Sequence, residues 1–590
     1  MPHWISPGSH DPVVRSAIAR LRQQRFAERF WAKDPSLWSH EPEAGPAIRS
    51  RLGWLSCLQT MREDCRILRA FVGEVRNEGY THALLLGMGG SSLCAEVCRK
   101  TFGVAPGYLD LAVLDSTDPG AVRHAEGRAR PEKTLFVVAT KSGTTTETLC
   151  FFRYFFDKAR RRMGVAAGRQ FVAITDPGSP LVALAVEKGF RRTFLNPPDI
   201  GGRYSALSYF GLLPAALLGV ETEALLDRAA ALLPGSPPAM ASEDHPALVL
   251  GAALGALGAA GRDKITLVLS PEIAAFGCWA EQLVAESTGK QGRGLIPVDG
   301  EPLGPPRVYG RDRVFVHLRL RSSRDAAVRR QLAALEKAGH PVIRLELDDR
   351  LDLGREFFRW EIATAVAAAV LQVNAFDEPN VKESKDNTER LLQALASRSR
   401  LAREEPLCRH SGISLYGSPA ATAPAPAARS RVRSNPVREA LLAHVNQARP
   451  GDYLAVLAYL EATPATDQLL ARLRRRLRDA LGIATTVGYG PRYLHSTGQL
   501  HKGGPASGLF LEMTSRDAFD LPIPETPFGF SLLKEAQARG DQEALLARQR
   551  RFLRLHLEAK AEPALRRIAG WIEKAFPASQ RAIATASRGK

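Results

Sequence analysis

From residue 81 onward, short apolar runs alternate with helical windows, and this alternation constrains the fold more than any other feature of the chain. The runs HALLLGMGG, LDLAVLDST, KTLFVVATKSG, QFVAITD and FRRTFLN are each apolar-rich and end in Gly, Ser, Thr, Asp or Asn. Between them lie windows of helical spacing such as SSLCAEVCRKTFG and TTETLCFFRYFFDKARRRMG. Strands that alternate with helices predict a parallel sheet covered on both faces, with its ligand beyond the carboxyl ends of the strands. A second set repeats the plan with KITLVLS, GLIPVDG, RVFVHLRL and HPVIRLELDD, separated by FGCWAEQLVAESTG and DAAVRRQLAALEKAG and closed by FFRWEIATAVAAAVLQVNAF. A third α/β segment carries strands near YLAVLAYL, ATTVGYG and SGLFLEMT, followed by a basic helical tail.

At 590 residues the chain exceeds what one hydrophobic core supports. We expect an N-terminal helical segment over 1–75 and α/β domains over 76–240 and 241–400. A linker follows over 401–436, where SPAATAPAPAARSRVRSNP lacks bulky apolar residues, and the α/β extension and tail fill 437–590. With 45% hydrophobic and 24% charged residues the composition is that of a soluble globular protein. No run approaches the roughly 18 apolar residues of a membrane span, and the start MPHWISPGSHDPV has no secretory pattern, so a cytoplasmic location is expected. The seven cysteines form no CxxC pair; Cys94 and Cys98, four apart on a helix, read as buried thiols, and no metal is expected. The net charge is +18. Its clusters, including RLRRRLRD and RQRRFLRLH, sit beside helical periodicity and read as solvated helix faces. No nucleic-acid-binding signature accompanies them, so neither a nucleic acid nor a membrane is expected as partner, and a small anionic substrate suits the charge.

Four strings carry chemistry. In GMGGSS, Gly87, Gly89, Gly90, Ser91 and Ser92 turn a strand into a helix, where glycines permit close backbone approach and the helix start offers free N–H groups to an anion. In ATKSGTTTET, Lys141, Ser142, Thr144 and Thr145 gather several hydroxyls and one cation at another helix start. One helix cap needs one hydroxyl, so the surplus points to a phosphate monoester. GGRYSALS presents Arg203 after Gly201 and Gly202, well placed to hold a guanidinium near a substrate. In AESTGK, Glu286 ends an apolar helical stretch, where burial would raise its pKa and suit it to proton transfer.

With GGRYSALSYFGLLPAALLG and FDEPNVKESK, these strings resemble the glucose-6-phosphate isomerase family in content and order over about residues 85–385. GYGPRYLHSTGQLHKGGPASG is similar to the isomerase half of bifunctional transaldolase/glucose-6-phosphate isomerase proteins. Only about 80 residues precede the first strand against the roughly 200 a transaldolase barrel needs, so that half is expected to be absent. The resemblance implies an α/β fold with two SIS-type (sugar isomerase) three-layer αβα domains with parallel sheets, plus the C-terminal extension and helical tail. It also implies an aldose–ketose isomerase needing no cofactor, and a homodimer whose sites borrow a residue across the interface. By position, Glu286 is the base that moves a proton between C1 and C2, Arg203 the cation facing the enediol(ate), and Lys385 an aid to ring opening. Gly90, Ser91, Lys141, Ser142, Thr144, Thr145, Gly202 and Glu378 fall on substrate-binding positions.

Two departures stand out. Glu378 replaces the family's glutamine, exchanging an amide donor for a carboxylate. The family's ring-opening histidine is missing from its usual place, where YGRDRVFVHLRL puts Arg313, and His501 or His495 is expected to replace it. An isomerase of another phosphosugar and a non-catalytic SIS sensor are the competing readings; the joint presence of Glu286, Arg203 and Lys385 argues against a sensor.

Overall fold

Three parallel-stranded sheets organise the chain, and their edges converge on one site. The computed structural model describes residues 4–233, 235, 244–398, 404–417, 435–558 and 560–577. The N-terminal segment is helical apart from a two-residue strand, β1 (Ile5–Ser6), which pairs antiparallel with a strand of the second sheet. The first sheet comprises β2 (His82–Gly87), β3 (Asp110–Leu114), β4 (Thr134–Ala139), β5 (Phe171–Thr175) and β6 (Arg192–Leu195), in the order β3-β2-β4-β5-β6 with all pairs parallel. All of β4 and β5 is buried, as expected for strands covered on both faces, which read as continuous apolar runs rather than alternating ones. Because β3 lies on one side of β2 and β4 on the other, the strand order reverses between β2 and β4. The GMGGSS and TKSGTTT turns leave those two strands and flank the crevice there, the usual ligand position in such sheets.

The second sheet contains β7 (Lys264–Leu269), β8 (Ile296–Val298), β9 (Arg313–Leu320) and β10 (Val342–Leu347), in the order β1-β10-β9-β7-β8. The helix Phe276–Thr288 crosses from β7 to β8 and carries Glu286 in its last turn. The third sheet holds β11 (Cys408–His410), β12 (Ile413–Gly417), β13 (Tyr453–Tyr459), β14 (Ala484–Tyr489), β15 (Gly508–Ser515) and β16 (Arg551–Leu557), in the order β11-β12-β16-β15-β13-β14. Strands β13 to β16 are mutually parallel, and β12 adds antiparallel to β16.

Three expectations are corrected here. RFLRLHL, expected within a helical tail, is β16: Phe552, Leu553, Leu555 and Leu557 are buried, and Arg554 is buried with them against Glu404. The segment expected as a linker begins with β11 and β12, whereas 418–434 lies outside the described residues. Nor is RLRRRLRD wholly a solvated face, for Arg474 and Arg478 are buried. With Arg313 they surround Glu301, whose carboxylate lies 3.0 Å from Arg313 with both side chains fully buried. Arg474 donates twice to the Thr485 carbonyl oxygen, and Thr485 Oγ1 donates to Glu301 at 3.1 Å, so the cluster ties the second sheet to the third. Burial opposes the charge on Glu301, but Arg313 and Arg474 outweigh it and hold the carboxyl below its ordinary range.

Removing one member of such a cluster leaves buried charge unpaired. We expect Glu301→Ala to cost about 3–5 kcal/mol, read as a lower urea midpoint. The stability that Glu301 contributes should be present above the unfolded-state carboxyl pKa and fade as pH falls through the folded value.

Candidate active site

Close backbone packing builds the site before any charged group enters it. A Cβ at Gly90 would lie 2.0 Å from the Gly202 carbonyl oxygen, so the GMGGSS turn can seat against the GGRYS turn only if it carries glycine there. Gly89 has φ +53°, and a Cβ on it would meet the His495 carbonyl oxygen at 2.8 Å and Gln282 Nε2 at 2.9 Å. First-sheet turn, second-sheet helix and third-sheet loop therefore meet at one glycine.

Arg203 is the centre of the cluster and only 5% exposed. Its Nη1 lies 3.0 Å from Glu286 Oε1 and 3.1 Å from Glu378 Oε2. Nε donates to Ser287 Oγ at 2.9 Å, and Nη2 donates to the carbonyl oxygens of Ala375 and Asp377 at 2.7 and 2.9 Å. Tyr204 shares Ser287 Oγ at 3.1 Å. Lys290, the lysine of ESTGK, holds the same 374–378 turn through the Asn374 and Asp377 carbonyls and Asp377 Oδ1. Burial, reinforced by Arg203, lowers its pKa to about 8.

Glu286 is fixed through both oxygens, since Gln282, one helical turn earlier, donates Nε2 to Glu286 Oε2 at 3.1 Å. The same Nε2 donates to the His495 carbonyl at 2.8 Å, tying the third sheet to the glutamate's support. Burial raises the Glu286 pKa; Arg203 opposes the rise and the nearby Glu378 carboxylate adds to it. Burial also works against the charge of Glu378, but Arg203 and then Arg51 prevail and lower its pKa.

The two expected histidines are treated differently. His495 lies in the short turn Arg492–His495 after β14, with Nε2 2.9 Å from Glu147 Oε1. Gln537 donates to the same oxygen at 2.7 Å and accepts from Thr117 at 2.7 Å. Burial opposes ionisation of Glu147, yet His495 holds its pKa below the ordinary value, so the carboxylate accepts and His495 Nε2 donates. In the neutral imidazole that pairing leaves the lone pair on Nδ1. His501 instead packs among Tyr453, Tyr493 and Phe510, and burial lowers its pKa to about 3. Arg313, expected at the family's histidine position, is locked to Glu301 and Thr266.

At the other strand end, Lys141 pairs with Asp176 and donates to the Pro198 carbonyl at 2.9 Å. Ser142 and Thr144 share a hydroxyl contact of 2.9 Å and are exposed, and Thr145 meets Thr140 at 2.8 Å. Thr145 begins the helix Thr146–Met163 without capping it through its side chain, so the helix start retains N–H groups for an anion. Ser91 closes the turn Gly89–Ser91 and is half-buried. Lys385, on the helix Val381–Arg398, is exposed, lines a groove of about 430 Å³ with Arg51 and Glu378, and adds its charge to those stabilising the Glu147 carboxylate.

The family model for phosphoglucose isomerase matches residues 55–293. A probable glucose-6-phosphate isomerase of Haloarcula marismortui is 30% identical over 349 residues, covering 53% of this chain and 78% of that protein. The chain belongs to this family. A glucose-6-phosphate isomerase of Rubrobacter xylanophilus is 29% identical over 400 residues, covering 58% of this chain and 91% of that one. The crystal structure of a hypothetical protein from Thermus thermophilus superimposes with a TM-score of 0.52 at 24% identity, covering 65% of this chain and 99% of that one, which supports the fold.

Several members of this candidate site escaped sequence reasoning. Gln282 carried a usable signal, four residues before Glu286 and hence on the same helix face. Glu147 stands inside the TTTET string, whose hydroxyls carry the phosphate reading and give the glutamate no separate signal. Gln537 and Arg51 come from distant elements and left no local mark. As a test of the packing, Gly90→Ala should force the two turns apart and destabilise the chain by about 1–3 kcal/mol, seen as a lower melting temperature, with activity lost more steeply than stability.

Proposed function

We infer that this chain interconverts glucose 6-phosphate and fructose 6-phosphate by proton transfer through an enediol(ate). One observation carries the reading: a buried glutamate is fixed through both oxygens by Arg203 and Gln282, and Gln282 also holds His495, whose ring meets Glu147 at the hydroxyl-rich helix start. Glu286 takes the proton from C2 of the aldose and returns it to C1 of the ketose. A hydroxyl proton passes between O2 and O1, so atoms and oxidation level balance without a redox cofactor. Raised basicity suits Glu286 to abstract a carbon-bound proton, while Arg203 offsets the negative charge that develops on the enediolate oxygens. Lys141, Ser142, Thr144, Thr145 and the free N–H groups of the helix start bind the phosphate, with Ser91, Gly90 and Gly202 along the sugar. His495, oriented by Glu147, handles the proton of ring opening together with Lys385.

In this reading the likeness of the 488–508 stretch to the bifunctional proteins acquires a role, because that stretch supplies the histidine. The protein works in the cytoplasm as a homodimer, each chain of which holds His495 against its own Glu147. Glu378 favours one second reading, a related phosphosugar whose hydroxyl donates to a carboxylate.

The deciding experiment supplies fructose 6-phosphate and reads glucose 6-phosphate through an NADP-linked dehydrogenase. Wild type should turn over, and Glu286→Gln should lose about 10²–10⁴-fold in kcat. No turnover with sugar-phosphate binding intact would transfer the case to another phosphosugar or to a sensor. The acid limb of kcat/KM should follow Glu286, which must be ionised to act, and so lie above the ordinary carboxylate range. In Glu378→Gln a like charge beside the base disappears, and the limb should move to lower pH.

A further inference from the structure

Arg51 stands out among the charged groups around the site because its backbone is fixed while its side chain is free. Leu52 bridges Ile200 antiparallel, and the Gly53 N–H donates to the Asp199 carbonyl at 2.9 Å. The N-terminal segment is thereby pinned to the residues that lead into Gly201, Gly202 and Arg203. The Arg51 guanidinium itself is half-buried and makes no hydrogen bond or ion pair among the described residues. It lines the groove shared with Glu378 and Lys385. Its charge acts on Glu378, which shares the groove, and on Asp176, the partner of Lys141, whose ammonium donates to the carbonyl of Pro198 beside the Asp199 that holds Gly53.

These positions create an electrostatic requirement. Lys141, the one cation of the TKSGTTT turn, is already engaged by Asp176 and the Pro198 carbonyl. Arg203 and Lys290 are likewise committed to Glu286, Glu378 and the 374–378 turn. A phosphate monoester carries close to two negative charges at neutral pH, and hydroxyls and N–H dipoles alone do not offset them beside Asp176. A free guanidinium with a fixed base matches phosphate oxygens in a two-pronged geometry that an exposed lysine does not reproduce.

We propose that Arg51 is a phosphate ligand of the substrate, completing the subsite that Ser142, Thr144 and Thr145 begin. The proposal rests on the sugar-phosphate reading of the site. It gives the N-terminal helical segment a part in recognition.

The test measures full-length wild type, Arg51→Ala and Arg51→Lys in two ways. In steady-state turnover of fructose 6-phosphate, Arg51→Ala should raise KM at least tenfold while kcat falls less than threefold, and Arg51→Lys should recover part of the loss. Calorimetric titration with inorganic phosphate should show the same order of affinities without requiring turnover. It therefore separates this proposal from the assigned reaction: if wild type binds phosphate but turns nothing over, the reaction is wrong and Arg51 is still judged. Should the alanine variant fail to fold, the lysine variant alone decides, since loss of the fork should weaken phosphate binding severalfold. Wild-type KM and wild-type phosphate affinity in every folded variant would overturn the proposal.

Discussion

Everything at the site depends on one buried guanidinium. Arg203 occupies the point where its own turn meets the second-sheet helix and the 375–378 turn: Nε reaches Ser287 on the helix, Nη2 the carbonyls of the turn, and Nη1 one carboxylate from each, Glu286 and Glu378. A guanidinium 5% exposed is tolerable only when so fully paired. That demand explains the neighbouring sequence. Glycine at 90 lets the two turns into contact, Ser287 supplies an acceptor, and Lys290 secures the turn whose carbonyls Arg203 needs.

The third sheet is an integral wall of this site. Arg492 grips Asp115 at 2.7 and 2.8 Å, Lys534 pairs with Asp118 at 2.7 Å, and Gln537 reaches Glu147, so the ends of β3 and β4 are fastened to elements more than 300 residues away. These contacts set His495 against Glu147 with one tautomer favoured. They also account for His501: the short helix Gly498–Gly503 turns that side chain into the aromatic core of its own sheet, where an uncharged imidazole costs least. Two histidines six residues apart thus have opposite environments because a helix, rather than a strand, separates them.

The sheets of the first two domains were readable because parallel strands buried on both faces are short continuous apolar runs, and every such run singled out from 81 to 348 forms a strand. Glu286, Arg203 and the turns were readable because each stands in a string whose composition exceeds what structure alone requires. The failures have a common cause. Arg313, Arg474, Arg478 and Arg554 are buried charges, and a local reading places arginine outside by default; the partners that make burial possible, Glu301 and Glu404, lie elsewhere in the chain. For the same reason β16 reads as helical tail, since its arginines obscure the strand, and Arg51 and Gln537 give no signal, since nothing in their own neighbourhoods marks them.

Glu378 can be understood through the same accounting of charge. An arginine bonded to a single glutamate would strongly favour the ionised form and leave a feeble base. Sharing the guanidinium between two carboxylates dilutes its hold on Glu286, and the second negative charge adds to burial in raising that group's pKa. The consequence is local negative charge: Arg203 with Glu286 and Glu378 sums to one net negative before any substrate enters. A phosphate dianion can approach such a cluster only if the crevice also holds cations that the protein has not already paired. Lys141 is paired there with Asp176, so its contribution is largely spent on protein, whereas Arg51 is not. A carboxylate at 378 and a free arginine at 51 are thus complementary features, one keeping the base basic and the other keeping the site hospitable to an anion.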